Sequence, residues 1–174
     1  SEETGIPALQ QASAAIPEPG ENEVLVRVEA AALNFSDLLM IDGIYQIRPD
    51  RPFTPGQEIA GVVVAAGSAS GFAQDVRVAG KVLWGGFAEY AILRADMAIA
   101  LPDGIGATAG AALPVVYTTA MVALVEDAKI KPGDTVLIHA AAGGVGLAAV
   151  QIAKAFGARV IAAATGPEKR ALIA

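Results

Sequence analysis

Residues 135–146 read Thr135-Val136-Leu137-Ile138-His139-Ala140-Ala141-Ala142-Gly143-Gly144-Val145-Gly146, and the stretch decides how the second half of the chain folds. Its first four residues are apolar and β-branched apart from Leu137, which predicts a short buried strand. A helix is predicted over 145–156. Val145, Ala148, Ala149, Ile152 and Phe156 recur at helical spacing, Gln151 and Lys154 lie on the other side, and Gly157 stops the run. Residues 159–163 then read as a second buried strand. Strand, helix and strand within about thirty residues make a βαβ unit, and such units form parallel sheets.

The glycines between strand and helix carry chemistry. Ala141, Gly143 and Gly146 hold the three positions of G-x-G-x-x-G, with alanine in place of the first glycine. The middle glycine lets backbone N–H groups approach a pyrophosphate, and the third lets helix pack closely on strand. The amides of Gly143, Gly144, Val145 and Gly146 open the helix, whose N-terminus favours an anion. A lone glycine motif is weak. Here it follows a strand, opens a helix and precedes a second strand, and that context predicts a dinucleotide site. The competing reading is a turn that needs glycine only for packing. At the end of the second strand, an acidic residue would select NAD through the ribose 2′-hydroxyl. This chain has Ala164-Thr165-Gly166-Pro167-Glu168-Lys169-Arg170 instead. Thr165 offers a hydrogen bond and Lys169 a positive charge to a 2′-phosphate, so NADPH is the expected cofactor. Lys169 and Arg170 also suit a solvated helix start.

Composition narrows the alternatives. Of 174 residues, 54 % are hydrophobic and 38 are alanine, so the core is expected to use small side chains. Twelve basic residues against eighteen acidic leave a formal charge of −6. That balance speaks against disorder and against nucleic acid as a partner. With no cysteine and a single histidine, His139, a disulfide framework, a thiolate nucleophile and a Cys- or His-rich zinc site are excluded. The uncharged stretches 104–125 and 135–153 are interrupted by glycines and hydroxyls, so no membrane span is expected. The acidic start Ser1-Glu2-Glu3 is no signal peptide, and the expected compartment is cytoplasmic.

Up to about residue 100 the sequence is β-rich and punctuated by glycine and proline. Strands are predicted at 23–28, 58–66, 76–83 and 87–93, the last two joined through Gly85-Gly86, with a short helix over 34–40 capped near Asn34 or Ser36. Beyond it, residues 111–129 are helical in composition apart from Pro114. The expected division is 1–105 and 106–174. One parallel strand pair is not a stable sheet, and Ala174 falls inside what reads as the next helix. The sequence is therefore expected to be part of a longer protein or to need a partner.

Several segments carry a resemblance in order along nearly the whole chain: Glu23 to Val28, Ala31-Ala32-Leu33-Asn34-Phe35-Ser36-Asp37, Gly43-Ile44-Tyr45, Pro55-Gly56-Gln57-Glu58-Ile59-Ala60-Gly61, Gly86-Phe87-Ala88-Glu89-Tyr90, Lys131-Pro132-Gly133-Asp134 and the loop from His139 to Gly146. The chain resembles the medium-chain dehydrogenase/reductase superfamily, in its zinc-independent quinone oxidoreductase branch. The resemblance implies an α/β architecture: a GroES-like β-rich catalytic domain, its first strand missing here, followed by the first βαβ unit of a Rossmann nucleotide-binding domain. It implies an active site in the cleft between them and NADPH-dependent hydride transfer to a quinone or activated alkene. Family members are about twice this length. Where the family has Gly-Asp-Arg-Val, this chain has Gln74-Asp75-Val76-Arg77-Val78, which removes a turn glycine.

The histidine that binds zinc in metal-dependent relatives corresponds to Gln57, and their cysteines are absent. A neutral amide does not build a catalytic zinc site, so no metal is expected. Quinone reduction needs no Lewis acid, and the protein then supplies mainly orientation. The resemblance places Tyr45, Asn34 and Asp37 near the nicotinamide, with Tyr45 as a donor, and sets Thr119 close to the cofactor. Asn34 and Asp37 equally suit the cap of a helix, Tyr45 a half-buried loop, and Thr119 a hydroxyl bonded to its own helix. Glu58 is expected to pair with Arg48, Arg51 or another cation, His139 to be a bonded core residue, and Trp84 to pack. The expected partner is a small quinone or enone, and the full-length form is expected to be a homo-oligomer. Two other functions compete: an enoyl-thioester reductase, which demands an acid beside the carbonyl, and a non-catalytic remnant that keeps only the nucleotide loop.

Overall fold

The computed structural model describes residues 5–173. The chain divides into two compact units, the boundary falling between Pro114 and Val115.

The first unit is built on a five-stranded antiparallel sheet. Its strands are β1 (Glu23–Ala32), β2 (Glu58–Ala66), β3 (Arg77–Lys81), β4 (Tyr90–Arg94) and β5 (Ala98–Ala100), in the order β4-β1-β2-β3-β5. Helix α1 (Phe35–Ile41) follows β1, and α2 (Ala107–Ala111) follows β5. The valine-rich alternation of β1 and β2 supplies Val24, Val26, Ile59 and Val63 to one core, which Val78, Val82, Ala91 and Leu93 complete. The sheet is curled. A Cβ on Gly80 of β3 would lie 2.6 Å from the Leu93 methyls of β4, although β1 and β2 separate those strands in the sheet order.

Two expectations change here. Residues 76–83 and 87–93 are consecutive in sequence, but β1 and β2 lie between β3 and β4 in the sheet. The connecting loop does not make a hairpin. It pairs instead with residues 54–57, through Val82 N–H to the Gln57 carbonyl (2.9 Å), Gly85 to Thr54 (2.7 Å), Gly86 to Gly56 (3.0 Å) and Phe87 to Pro55 (2.9 Å). A Cβ on Gly56, whose φ is +103°, would lie 2.6 Å from the Phe87 nitrogen, so the close approach needs glycine there. The second change is β5, three residues too short to show a period. The turn glycine missing before Val76 is answered by Asp75, which takes φ +67° itself. Asp75 and Val76 both bond Val63, as donor (2.8 Å) and acceptor (2.9 Å), the pattern of a bulge whose first residue is left-handed.

The second unit holds α3 (Val116–Met121), a π-helical segment Val122–Asp127, β6 (Thr135–Ile138), α4 (Gly144–Ala155), β7 (Arg159–Ala162) and α5 (Pro167–Leu172). The helix expected over 111–129 is broken around Pro114, whose ring and missing N–H stop a helix from running through. β6 and β7 pair in parallel, from Thr135↔Arg159 to Ile138↔Ala162, with α4 as the crossover. Helices α3 and α4 meet on a core of Ala120, Ala148 and Ile152, and the Tyr117 hydroxyl donates to Gln151 Oε1 at 2.5 Å. Val145, placed on the apolar face by periodicity, is exposed, and Ala153 is buried instead. Leu137 and Ile161 are exposed on their strands. Among the described residues, no helix is long and apolar enough to cross a membrane.

Candidate functional site

Two sets of residues stand out, one in each unit. In the second, β6 ends at Ile138 and the chain turns at Ala140, which adopts φ +49°. The Gly143 N–H closes the turn on the Ala140 carbonyl at 2.8 Å. Ala141 is fully buried, and its N–H donates to the Ala163 carbonyl at 3.0 Å, tying the loop to the end of β7. Helix α4 then starts with no side-chain cap among the described residues, while Gly143, Gly144 and Val145 are exposed. Uncapped first-turn amides and the helix dipole make this end attractive to an anion. Gly146 is a packing requirement. A Cβ there would lie 2.3 Å from the Ala140 carbonyl oxygen and 2.7 Å from the Ala141 Cα. Gly143 is less constrained, with 3.3 Å to the Ala140 oxygen, and a Cβ on Gly144 would meet Val116 at 3.1 Å.

Beside this loop lies a cleft of about 360 Å³, lined by His139, Ala140, Ala142, Gly143, Ala163, Ala164, Thr165 and Lys169. The geometry thus brings Thr165 and Lys169 to the same cleft as Gly143. It also moves His139 out of the core, since the residue is exposed on the cleft wall. Residues 115–174 carry six basic and four acidic side chains, whereas 1–114 carry six and fourteen. An anion is therefore better received by the second unit than the chain's −6 suggests. Thr119 is exposed on α3 and its hydroxyl donates to the Val115 carbonyl at 2.7 Å.

In the first unit, a polar knot joins the start of α1 to the start of β2. Asn34 is the N-cap of α1, and its N–H donates to Asp37 Oδ2 at 2.8 Å. Its side-chain Nδ2 donates to Glu58 Oε1 at 2.7 Å. The Ser36 hydroxyl donates to Gln57 Oε1. Asp37, Gln57 and Glu58 are all buried, and Asp37 Oδ1 has no partner among the described residues. Burial pushes the Asp37 carboxyl above its ordinary value, against the opposing pull of the Asn34 and Gly56 amides. Asn34 and Asp37 thus sit together in this knot. Tyr45 is half-buried and held by its backbone, its N–H bonded to the Leu39 carbonyl (3.1 Å) and its carbonyl accepting from Arg48 Nε (3.2 Å). Its hydroxyl bonds to none of the described residues. Trp84 is 41 % exposed and does not pack as expected.

The sequence shows Ser36 only as a cap, and the bonds from Ser36 to Gln57 and from Asn34 to Glu58 are not foreseeable from it. The available signal was two polar residues, Gln57 and Glu58, opening a strand that is otherwise apolar. Such a pair must find partners when buried.

Residues 20–103 match the alcohol dehydrogenase GroES-like domain. A quinone oxidoreductase of Sus scrofa is 41 % identical over 165 residues, which are 94 % of this chain and 50 % of that protein. Across nearly its whole length the chain is similar to quinone oxidoreductases of the medium-chain dehydrogenase/reductase superfamily. The quinone oxidoreductase of Thermus thermophilus, solved alone and in complex with NADPH, is 41 % identical with a TM-score of 0.83, covering 95 % of this chain and 53 % of that one. The CurK enoyl reductase is 35 % identical with a TM-score of 0.89, covering 99 % and 55 %. The chain thus spans about half the length of the curated relatives it matches.

Proposed function

We propose that this chain binds NADPH and serves an oxidoreductase that reduces a quinone or an activated alkene without zinc. The observation that carries the reading is the loop from Ala141 to Gly146, which opens α4 without a side-chain cap beside a cleft that Gly143, Thr165 and Lys169 line. In this reading the amides of Gly143, Gly144, Val145 and Gly146 hold the diphosphate, and Ala141 ties the loop to β7. Thr165 and Lys169 receive the 2′-phosphate, and Thr119 lies on the helix beside the loop. NADPH, when bound, supplies a hydride, which with one proton from water takes a quinone to its hydroquinone. Asn34 and Asp37 orient the nicotinamide or its ribose, and Tyr45 offers its hydroxyl to the substrate. The full protein is proposed to be a homo-oligomer working in the cytoplasm, with 1–105 as catalytic domain and 106–174 as nucleotide domain.

Reduction of an enoyl thioester is a second reading, favoured by the Tyr45 hydroxyl, which is half-buried and spends no hydrogen bond on the described residues. That reaction must protonate the carbon beside the carbonyl and so needs an acid. Loss of alkene reduction but not quinone reduction in Tyr45→Phe would favour it.

The cofactor assignment is tested by fluorescence titration of the chain with NADPH and NADH. NADPH is expected to bind more tightly, and Lys169→Ala to weaken NADPH binding about five- to tenfold, the effect of a solvent-screened charged hydrogen bond. NADH binding should not move. Equal affinity for both nucleotides, unchanged by Lys169→Ala, would refute the phosphate role.

A further inference from the structure

We infer that the side-chain amide of Gln57 is the donor that receives the substrate's carbonyl oxygen. The inference rests on the reading just given, that the chain serves the reduction of a conjugated carbonyl compound.

Gln57 immediately precedes β2 and is only 2 % exposed. Two bonds fix it. Its backbone carbonyl accepts the Val82 N–H at 2.9 Å, and its Oε1 accepts the Ser36 hydroxyl. With the oxygen occupied, the planar amide turns its two N–H groups to the other side. Nε2 bonds to no described residue, yet the one orphaned buried side-chain atom among those residues is Asp37 Oδ1. The amide nitrogen therefore keeps contact with solvent, and the small surface left to Gln57 includes its donor.

Outside the polar knot with Ser36, the residues that the strand register sets beside Gln57 are apolar. The β1–β2 pairing ends at Ala32↔Glu58, which sets Leu33 beside Gln57. The β2–β3 pairing ends at Glu58↔Lys81, which sets Val82 on the other side and Leu83 and Trp84 just beyond. Leu33, Leu83 and Trp84 are 66 %, 49 % and 41 % exposed. The loop that carries Leu83 and Trp84 is rigid, because its backbone is bonded along residues 54–57. A fixed N–H within an exposed apolar rim fits a flat, conjugated carbonyl compound. Its ring covers the apolar groups and its oxygen takes the donor. The bond strengthens as negative charge grows on that oxygen during reduction. The amide only holds the oxygen. The proton that completes the product comes from water, since an amide does not release one. Ser36 is the positioning residue that keeps the amide in this sense.

The test uses 1,4-naphthoquinone as probe and reads its carbonyl stretch by infrared difference spectroscopy on the chain. The chain has no cysteine, so thiol addition does not compete. Bound probe is expected to show a carbonyl band shifted to lower frequency. Gln57→Leu should abolish the shift and weaken binding about fivefold, as for one lost hydrogen bond. Ser36→Ala should reduce the shift, and Ser36→Thr, which keeps the hydroxyl, should restore it. An unchanged band and affinity in Gln57→Leu would overturn the role of Gln57 and leave quinone binding standing. Failure of the wild-type chain to bind the probe would overturn both. Should Gln57→Leu not fold, the wild-type amide protons of Gln57 decide the matter by NMR: they move downfield when the probe binds, and unmoved resonances refute the contact.

Discussion

Asp75 holds a left-handed backbone, φ +67°, a region that favours glycine. An L-residue in that region costs about 1–2 kcal/mol, less for Asp than for most. Glycine gives back part of the gain through its larger backbone entropy in the unfolded chain. Asp75→Gly is therefore expected to raise stability by about 0.5–1 kcal/mol in urea unfolding. Asp37 makes a second prediction, through pH. Burial raises its carboxyl above the ordinary 3.8, so the folded protein holds that proton longer than the unfolded chain does. The stability gained is complete below the ordinary value and is lost as pH rises through the raised one. Asp37→Asn removes this term. Wild-type stability relative to Asp37→Asn should therefore fall as pH is raised from about 3 to about 7 in parallel urea titrations. A difference that stays flat would show that Asp37 titrates normally.

Between strand and helix, Gly143 and Gly146 differ in what they permit. A Cβ at Gly146 overlaps the Ala140 carbonyl, backbone that has little freedom to yield, while one at Gly143 meets the same oxygen at 3.3 Å. Gly146→Ala is expected to push the start of α4 off β6, costing about 2 kcal/mol or more by overpacking and lowering NADPH affinity at least tenfold. Gly143→Ala should fold with near-normal circular dichroism and lose affinity alone, because its methyl group takes space a diphosphate would use. The same loop shows how far the sequence could be read. The parallel pair and α4 were readable because Thr135 to Ile138 form a short, mainly β-branched run and Ala148, Ala149 and Ile152 recur at helical spacing. The pairing of Glu58 with Asn34, and of Gln57 with Ser36, was not. Those partners lie 24 and 21 residues apart, and only the folded sheet, by setting α1 against the start of β2, brings them together. The crossing of residues 82–87 was hidden for the same reason: Gly85-Gly86 signals a turn but not which strand the turn will join.

Taken as a whole, the molecule is unevenly stabilised. The first unit buries valines, isoleucine and leucine from a five-stranded sheet, whereas the core of the second is Ala120, Ala148 and Ile152. Hydrophobic stabilisation follows apolar area at about 25 cal/mol per Å², and alanine offers little of it. Leu137 and Ile161, 56 % and 47 % exposed on the two-stranded sheet, add only part of theirs. Residues 115–173 should therefore open at lower denaturant than residues 5–114, in two steps rather than one. Hydrogen exchange followed by mass spectrometry resolves the steps: amides of β6, α4 and β7 should exchange before those of β2 and β3. NADPH at about 100 times its dissociation constant should raise the weaker step by about 2.7 kcal/mol, since it stabilises only the unit that binds it. The protection should centre on the amides that follow Ala140. A single coincident transition would show that the units stabilise each other as one body, and NADPH protection confined to β2 and β3 would move the nucleotide to the other unit.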